Sequence, residues 1–112
     1  MSEFNAMLLR ACRDNEIDTV ENCIHEGADV NTRTNSYGNN TPLILAAYWC
    51  NVEIVIILLE NGADASLKDG YENTALDNAI NRNELTMRNN KDRAALFSTI
   101  ERILKTWEAN NG

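Results

Sequence analysis

The tripeptide Gly-Ala-Asp occurs twice, at Gly27-Ala28-Asp29 and Gly62-Ala63-Asp64, 35 residues apart. A second pair, Thr41-Pro42-Leu43 and Thr74-Ala75-Leu76, is offset by 33 residues. Self-similarity with a period in the low thirties is the signature of a stacked repeat array. A single unit of that size cannot bury its own apolar side, so each must shield its neighbour. That requirement limits the folds open to this chain more than any other property it has.

The stretch Thr41 to Asp64, TPLILAAYWCNVEIVIILLENGAD, contains one whole unit. Thr41 before Pro42 reads as a helix start, with a hydroxyl cap and then a proline at the first helical position, where no N–H is needed. Leu43, Ile44, Ala46 and Ala47 give a short amphipathic helix. Tyr48-Trp49-Cys50-Asn51 interrupts it. Val52, Val55, Ile56, Leu58 and Leu59 then recur at helical spacing. Gly62 closes the second helix as a left-handed residue.

The flanking segments follow the same plan. Residues 2–12 are predicted as a first helix, with Phe4, Met7, Leu8 and Ala11 on its stripe. Arg13-Asp14-Asn15 is a turn in which Asn15 tolerates a left-handed backbone. Residues 16–25 form a second helix, with Ile17, Val20, Cys23 and Ile24 inward, and Gly27 stops it. Residues 28–40, ADVNTRTNSYGNN, have turn composition and predict a projecting β-hairpin-like loop. The 35- and 33-residue offsets make this loop two residues longer than its successor. Residues 63–73 form the second loop, with Asp69-Gly70 as its turn. Thr74-Ala75-Leu76-Asp77 is a near capping box that opens a third helix, with Leu76, Ala79 and Ile80 inward. Residues 81–93, NRNELTMRNNKDR, are expected to lengthen the connection to a last helix from about Asp92 to Trp107. Its apolar face holds Leu96, Phe97, Ile100, Ile103, Leu104 and Trp107, and Glu101 and Lys105 pair on its wet side.

The net charge is −7 and unevenly spread: residues 1–79 hold four basic and 13 acidic side chains, residues 80–112 six and four. An acidic body disfavours nucleic acid, whose phosphates call for Lys and Arg. It suits a basic partner, since long-range attraction speeds encounter. Arg82, Arg88, Lys91 and Arg93 make the 81–93 segment locally basic, but it lacks aromatics on which bases could stack. Three cysteines, an odd number without metal-ligand spacing, read as reduced thiols in a cytoplasmic protein. There is no signal peptide in the opening MSEFNAMLLRACRDN, and the apolar run Ile54–Leu59 is too short for a membrane span.

The quoted motifs resemble the ankyrin repeat family. Thr41-Pro42-Leu43-Ile44-Leu45-Ala46-Ala47 is similar to the family's Thr-Pro-Leu-His-Leu-Ala-Ala opening. Leu58-Leu59-Glu60-Asn61-Gly62-Ala63-Asp64 and Gly27-Ala28-Asp29-Val30-Asn31 match its closing segment, and Asn73-Thr74-Ala75-Leu76-Asp77-Asn78-Ala79 is a third opening. Three departures stand out. Ile44 replaces the histidine that bonds neighbouring repeats. Asn15, Cys50 and Asn83 occupy a turn position where the family prefers glycine, and Cys50 should be strained there. Ala75 replaces a proline at little cost.

The resemblance implies an all-α solenoid of three stacked helix-turn-helix repeats, at about 3–36, 37–69 and 70–107, forming one domain over residues 1–112. Loops project from the helical base, and the third repeat is modified. It also implies a non-catalytic module that binds protein along its concave side. By register, the variable positions of that side are Arg13 and Asp14, Tyr48 and Trp49, Asn81 and Arg82 at the ends of the first helices. On the loops they are Tyr37, Gly70, Tyr71 and Asn73, with Arg33 and Lys68 flanking. Tyr, Trp and Arg dominate interface energetics, so an aromatic group around Trp49 is the expected contact surface.

The chemistry of sites points the same way. His25, the only histidine, sits at a helix end where it meets backbone carbonyls. Cys12 and Cys23 fall at core positions. The sequence contains no Walker loop, Gly-rich dinucleotide turn or His-Glu-x-x-His, so neither a metal nor a cofactor is expected. The rival reading is a small enzyme or thiol-reactive protein using an exposed Cys50 or a cleft at 81–93. A structural dimer through the terminal repeat is a third reading, against which a monomer is expected. So short an array beginning at a methionine suggests a stand-alone binder: an inhibitor, an immunity protein that occupies a basic toxin, or an effector delivered into a host cell.

Overall fold

The computed structural model describes residues 3–35, 38–86 and 90–111. Among these residues are six helices and no strand: α1 Glu3–Asp14, α2 Ile17–His25, α3 Pro42–Tyr48, α4 Val52–Glu60, α5 Ala75–Thr86 and α6 Lys91–Asn111. They pair as α1–α2, α3–α4 and α5–α6. The first helices α1, α3 and α5 pack in one layer, and the second helices α2, α4 and α6 in another.

The two complete hairpins are built alike, bond for bond. In the first, Asn15 has φ 58° and Glu16 N donates to Ala11 O at 3.0 Å. In the second, Cys50 has φ 66° and Asn51 N donates to Ala46 O at 2.8 Å. Gly27 and Gly62, at φ 91° and 94°, follow the caps of α2 and α4. Ala28 N then reaches back to Cys23 O at 2.9 Å, and Ala63 N to Leu58 O at 3.0 Å. This is the Schellman closure that a left-handed glycine permits. At the other ends, Thr41 Oγ1 accepts from Ile44 N at 3.2 Å. The Thr74 box is reciprocal: Asp77 N donates to Thr74 Oγ1 at 3.2 Å, and Thr74 N to Asp77 Oδ2 at 3.0 Å.

The loops close as hairpins without becoming strands. Asp69 N donates to Asn73 O at 2.8 Å and Glu72 N to Asp69 O at 3.1 Å, with Glu72 at φ 66°. A turn followed by a left-handed residue is a common hairpin closure. In the first loop, Thr34 N donates to Asn40 O at 2.9 Å, with Asn39 at φ 46°. Closure thus spans 34–40 in one loop and 69–73 in the other, and this is where the two additional residues lie.

The core runs through every interface between helices. Leu8, Cys12, Val20, Ile44, Ile54, Leu58, Phe97, Ile100 and Leu104 are all buried in it. Ile44, in place of a histidine, packs among them. Polar side chains join the repeats instead. Asn31 accepts from Asp64 N at 2.8 Å and donates to Gly62 O at 3.3 Å. Asn51 donates to Cys12 O at 2.7 Å and Arg13 O at 3.3 Å.

Four expectations are corrected. Helix α1 continues to Asp14, because Arg13 and Asp14 keep helical backbone and only Asn15 turns. The lengthened connection at 81–93 does not begin at 81: α5 runs on to Thr86, so Asn83 is helical and occupies no turn. Asn81 to Thr86 contain neither proline nor glycine, and Asn83 Nδ2 ties this stretch to Ser98 Oγ of α6 at 3.0 Å. Residues 87–89 of that segment lie outside the described residues, and Asn90 caps α6 by accepting from Arg93 N at 3.1 Å. Leu96 is 46% exposed, because the buried stripe of α6 is Ala94, Phe97, Ile100 and Leu104. Finally, α6 continues past Trp107 to Asn111.

Candidate functional site

A groove runs along the face made by the first helices and the two loops. Toward α1 it opens to about 460 Å³ between Leu9, Arg10 and Arg13 on one side and Thr34, Asn35 and Asn40 on the other. Toward α5 it narrows to a cleft of about 280 Å³ walled by Tyr48, Trp49, Asp69, Tyr71 and Asn78. Asn40 and Leu45 line both parts.

The aromatic wall follows directly from the repeat plan. Tyr48 and Trp49 end the short helix α3 at the turn into α4, so they stand at the groove edge rather than in the core. They are 36% and 40% exposed, and their rings meet edge to face with centroids 5.2 Å apart. Tyr71, at the tip of the second loop, is 63% exposed. The Arg82 guanidinium lies 4.5 Å above the Tyr48 ring centroid and 5.9 Å from that of Phe97. Among the described residues, its Nε is buried without a hydrogen-bond partner, as is Asn83 Oδ1. Arg93 Nη2 donates to Trp49 O at 3.2 Å, fixing the turn that carries the indole.

Asp69 is 8% exposed and holds the second loop in shape. Its Oδ1 accepts from Tyr71 N at 2.8 Å and Asn73 N at 3.0 Å, and its Oδ2 from Asn78 Nδ2 at 3.2 Å. The sequence marks it only as a turn residue. Arg10, Asn40, Leu45 and Asn78 are not among the contact residues expected from the sequence. The signal for Asn78 was present in its position one turn after the Thr74 cap, where its side chain also reaches Thr74 O at 2.9 Å.

The other expected contact residues divide. Arg13 lies at the groove mouth but is paired with Asp14 at 2.8 Å, and the guanidinium holds that carboxyl below the usual carboxylate range. Arg33 is committed internally, donating to Asn39 O at 2.9 Å and Lys68 O at 2.7 Å; it stitches the two loops together. Gly70 N to Gly38 O at 2.8 Å adds a second stitch. Lys68 and Asn81 are exposed, and Asn73 is half-buried in the loop closure. Tyr37 lies outside the described residues.

The outer faces of two second-layer helices are acidic. The second helices α2 and α4 expose Asp18, Glu21, Glu53 and Glu60 and carry no lysine or arginine. A cleft of about 300 Å³ between them is lined by Glu21, Glu60 and His25. Arg10 and Arg13 line the wide end of the groove, while the first helices and loops also expose Glu3, Asp14, Asp29, Asp64, Glu72 and Glu84, and α6 exposes Lys91, Arg93, Arg102 and Lys105. Both signs of charge therefore occur in both layers.

Cys50 departs from its expected exposure. It is 8% exposed, its Sγ lies 3.8 Å from Arg93 O, and burial pushes its thiol up. Burial raises Cys12 to about 12. Thiols so shifted carry little thiolate at neutral pH, and thiolate is the nucleophile. Among the described residues, no group of three or more His, Cys, Asp or Glu side chains could hold a metal ion. No described helix is long and apolar enough to cross a membrane.

Helix pairs stacked in two layers, closed by left-handed turns and tied by their loops, define a helical repeat protein with a grooved face. A family model of ankyrin repeats in three copies matches residues 8–91, and the chain belongs to the ankyrin repeat family. It is similar to an ankyrin repeat protein of Fowlpox virus, with 38% identity over 87 residues, 74% of this chain and 25% of that protein. It is 35% identical over 94 residues to the mitochondrial disaggregase of Bos taurus, covering 81% of this chain and 14% of that protein. With alpha-latrotoxin-Lt1a of Latrodectus tredecimguttatus the identity is 32% over 78 residues, 70% of this chain and 5% of the toxin. The chain spans a quarter or less of each of these relatives. What they share with it is the repeat region, and repeats of this family are generally protein-binding modules without catalytic activity.

Proposed function

We propose that this chain is a non-catalytic binding module whose grooved face receives a segment of another protein. The observation that carries the reading is the group Tyr48, Trp49 and Tyr71, three exposed aromatic side chains around one cleft. Large rings left in water at a concave site, with arginines beside them, are the composition of binding hot spots. The groove is also held in advance: Arg33 and the Gly70–Gly38 bond join the loops, so little ordering entropy remains to be lost on binding. Inhibition of a partner by occupying its surface is the mode of action such a rigid groove supports. The thiol-based reading loses its support with the burial of Cys50.

Capture from native lysate with quantitative mass spectrometry tests this. The wild type is compared with the triple variant Tyr48→Ala/Trp49→Ala/Tyr71→Ala and with a back-face variant, Glu53→Ala/Glu60→Ala. The expected result is a protein retained by the wild type and back-face variant and lost from the triple variant. Retention that follows the back-face residues instead, or no difference among the three, overturns the assignment of the groove.

A further inference from the structure

We propose that the narrow end of the groove takes the side chain of a lysine carried by the partner protein. This rests on the binding-face reading above and names what that face recognises. Among the described residues that wall the cleft, the only charge is the Asp69 carboxylate. Trp49 and Tyr71 stand in the same wall, beside Asn40, Leu45, Asn78 and a Tyr48 whose ring already carries the Arg82 guanidinium, and ring faces attract cations as a carboxylate does. Both kinds of group therefore favour the same sign of ligand. The wide end differs: among the described residues, Arg10 and Arg13 line it with no acid in its wall.

Asp69 belongs to no ion pair among the described residues. Its charge is held by three hydrogen bonds from Tyr71 N, Asn73 N and Asn78 Nδ2, none of which cancels it. Arg33 and Lys68 are on the loop side and Arg82 lies over Tyr48, and none of them enters the cleft wall.

Lone-pair geometry favours lysine over arginine. A carboxylate offers about four acceptor positions. Three are taken here, and the remaining one is on Oδ2. A guanidinium fork gains its advantage from two parallel acceptors, which Asp69 no longer has. An ammonium needs only one acceptor and can turn its other donors toward water. A volume of about 280 Å³ has room for a four-carbon arm.

The test uses Nα-acetyl-lysine-N-methylamide, its Nζ-acetylated form and the arginine analogue. Each is titrated into 15N-labelled protein and followed by chemical shift. The expected result is a saturable response of the Trp49 indole N–H and the Tyr71 and Asn73 amides to the lysine probe, absent with the Nζ-acetylated one. Trp49→Ala, checked for an unchanged circular dichroism spectrum, should weaken the response by roughly 3- to 30-fold, the range of one cation–π contact. Equal binding of the acetylated probe, a tighter arginine probe, an unaffected Trp49→Ala, or shifts confined to Glu21 and Glu60 would each overturn the proposal. If the lysine probe fails while protein capture still depends on Trp49, the lysine assignment falls and the binding face stands.

Discussion

Replacing Asn51 by alanine should uncouple the first repeat from the second. Asn51 caps α4 by position but makes no cap hydrogen bond. Its Nδ2 instead crosses to the end of α1, reaching Cys12 O at 2.7 Å and Arg13 O at 3.3 Å, and the residue is 7% exposed. Each net hydrogen bond contributes about 1 kcal/mol, and a buried carbonyl left without a donor costs about 1–3 kcal/mol. With the 3.3 Å bond weighted lightly, the loss comes to about 2–3 kcal/mol. With an m-value of about 1.5–2 kcal/mol per molar urea, mid-range for a small domain, the unfolding midpoint should fall by about 1–2 M. Hydrogen exchange should show the loss first in α1 and α2, since stability in such arrays is a sum of local terms. Asn51→Asp should be at least as damaging, because it faces two carbonyls with a carboxylate. An Asn51→Ala midpoint within about 0.2 M of wild type, against the expected shift of about 1–2 M, would refute the claim that this side chain joins the repeats. So would an Asn51→Asp protein of undiminished stability.

Gly62→Ala meets no atom within 4 Å but must hold φ 94°, so it should cost about 1–2 kcal/mol in urea unfolding through backbone strain alone. Thr74→Ala removes one half of a reciprocal box and should cost about 1 kcal/mol by the same assay. The Asp64 carboxyl is lowered by its bonds to Ser66 Oγ and N. A depressed folded value means stability present above the unfolded carboxylate value of about 3.9 and lost as pH falls through the folded one. Ser66→Ala should flatten the acid limb of stability against pH; an identical limb would contradict the assignment. Native Cys50 should react with a thiol reagent more slowly than free cysteine, because it is buried and its thiol is raised; a faster rate would revive the thiol-based reading.

The repeat frame was legible because it depends on local chemistry that a sequence displays. Thr41-Pro42, Gly27 and Gly62 each have one good backbone solution, and the loop offset of two residues appears as the different closures at 34–40 and 69–73. What failed depended on tertiary partners. Asn81 to Thr86 look like a polar connection, yet α6 lies alongside and Asn83 bonds Ser98. Leu96 has the right residue type but sits off the face that α4 and α5 cover. Arg33 and Asp69 were legible as a charged residue and a turn. That one would stitch the loops, and the other would lend its charge to a cleft, depends on carbonyls and amides from 35 residues away or across the hairpin. At the site, the aromatic group was visible in the register of Tyr48, Trp49 and Tyr71. The cleft they share with Asp69 was not, because no pair among Tyr48, Asp69 and Asn78 has a spacing that signals contact.

The same division explains why total charge misleads for an array of this kind. The outer faces of α2 and α4 are acidic, with Asp18, Glu21, Glu53 and Glu60 exposed, whereas the arginines near the groove are mostly committed: Arg13 to Asp14, Arg33 to two carbonyls, and Arg93 of α6 to Trp49 O. A partner approaching from afar meets the summed field of −7, whose reach is limited to about 10 Å at 0.1 M salt. A partner already seated meets the groove, where arginines lie at one end and an uncompensated carboxylate among rings at the other. Salt should therefore slow association more than it hastens dissociation, since committed and buried charges are screened least.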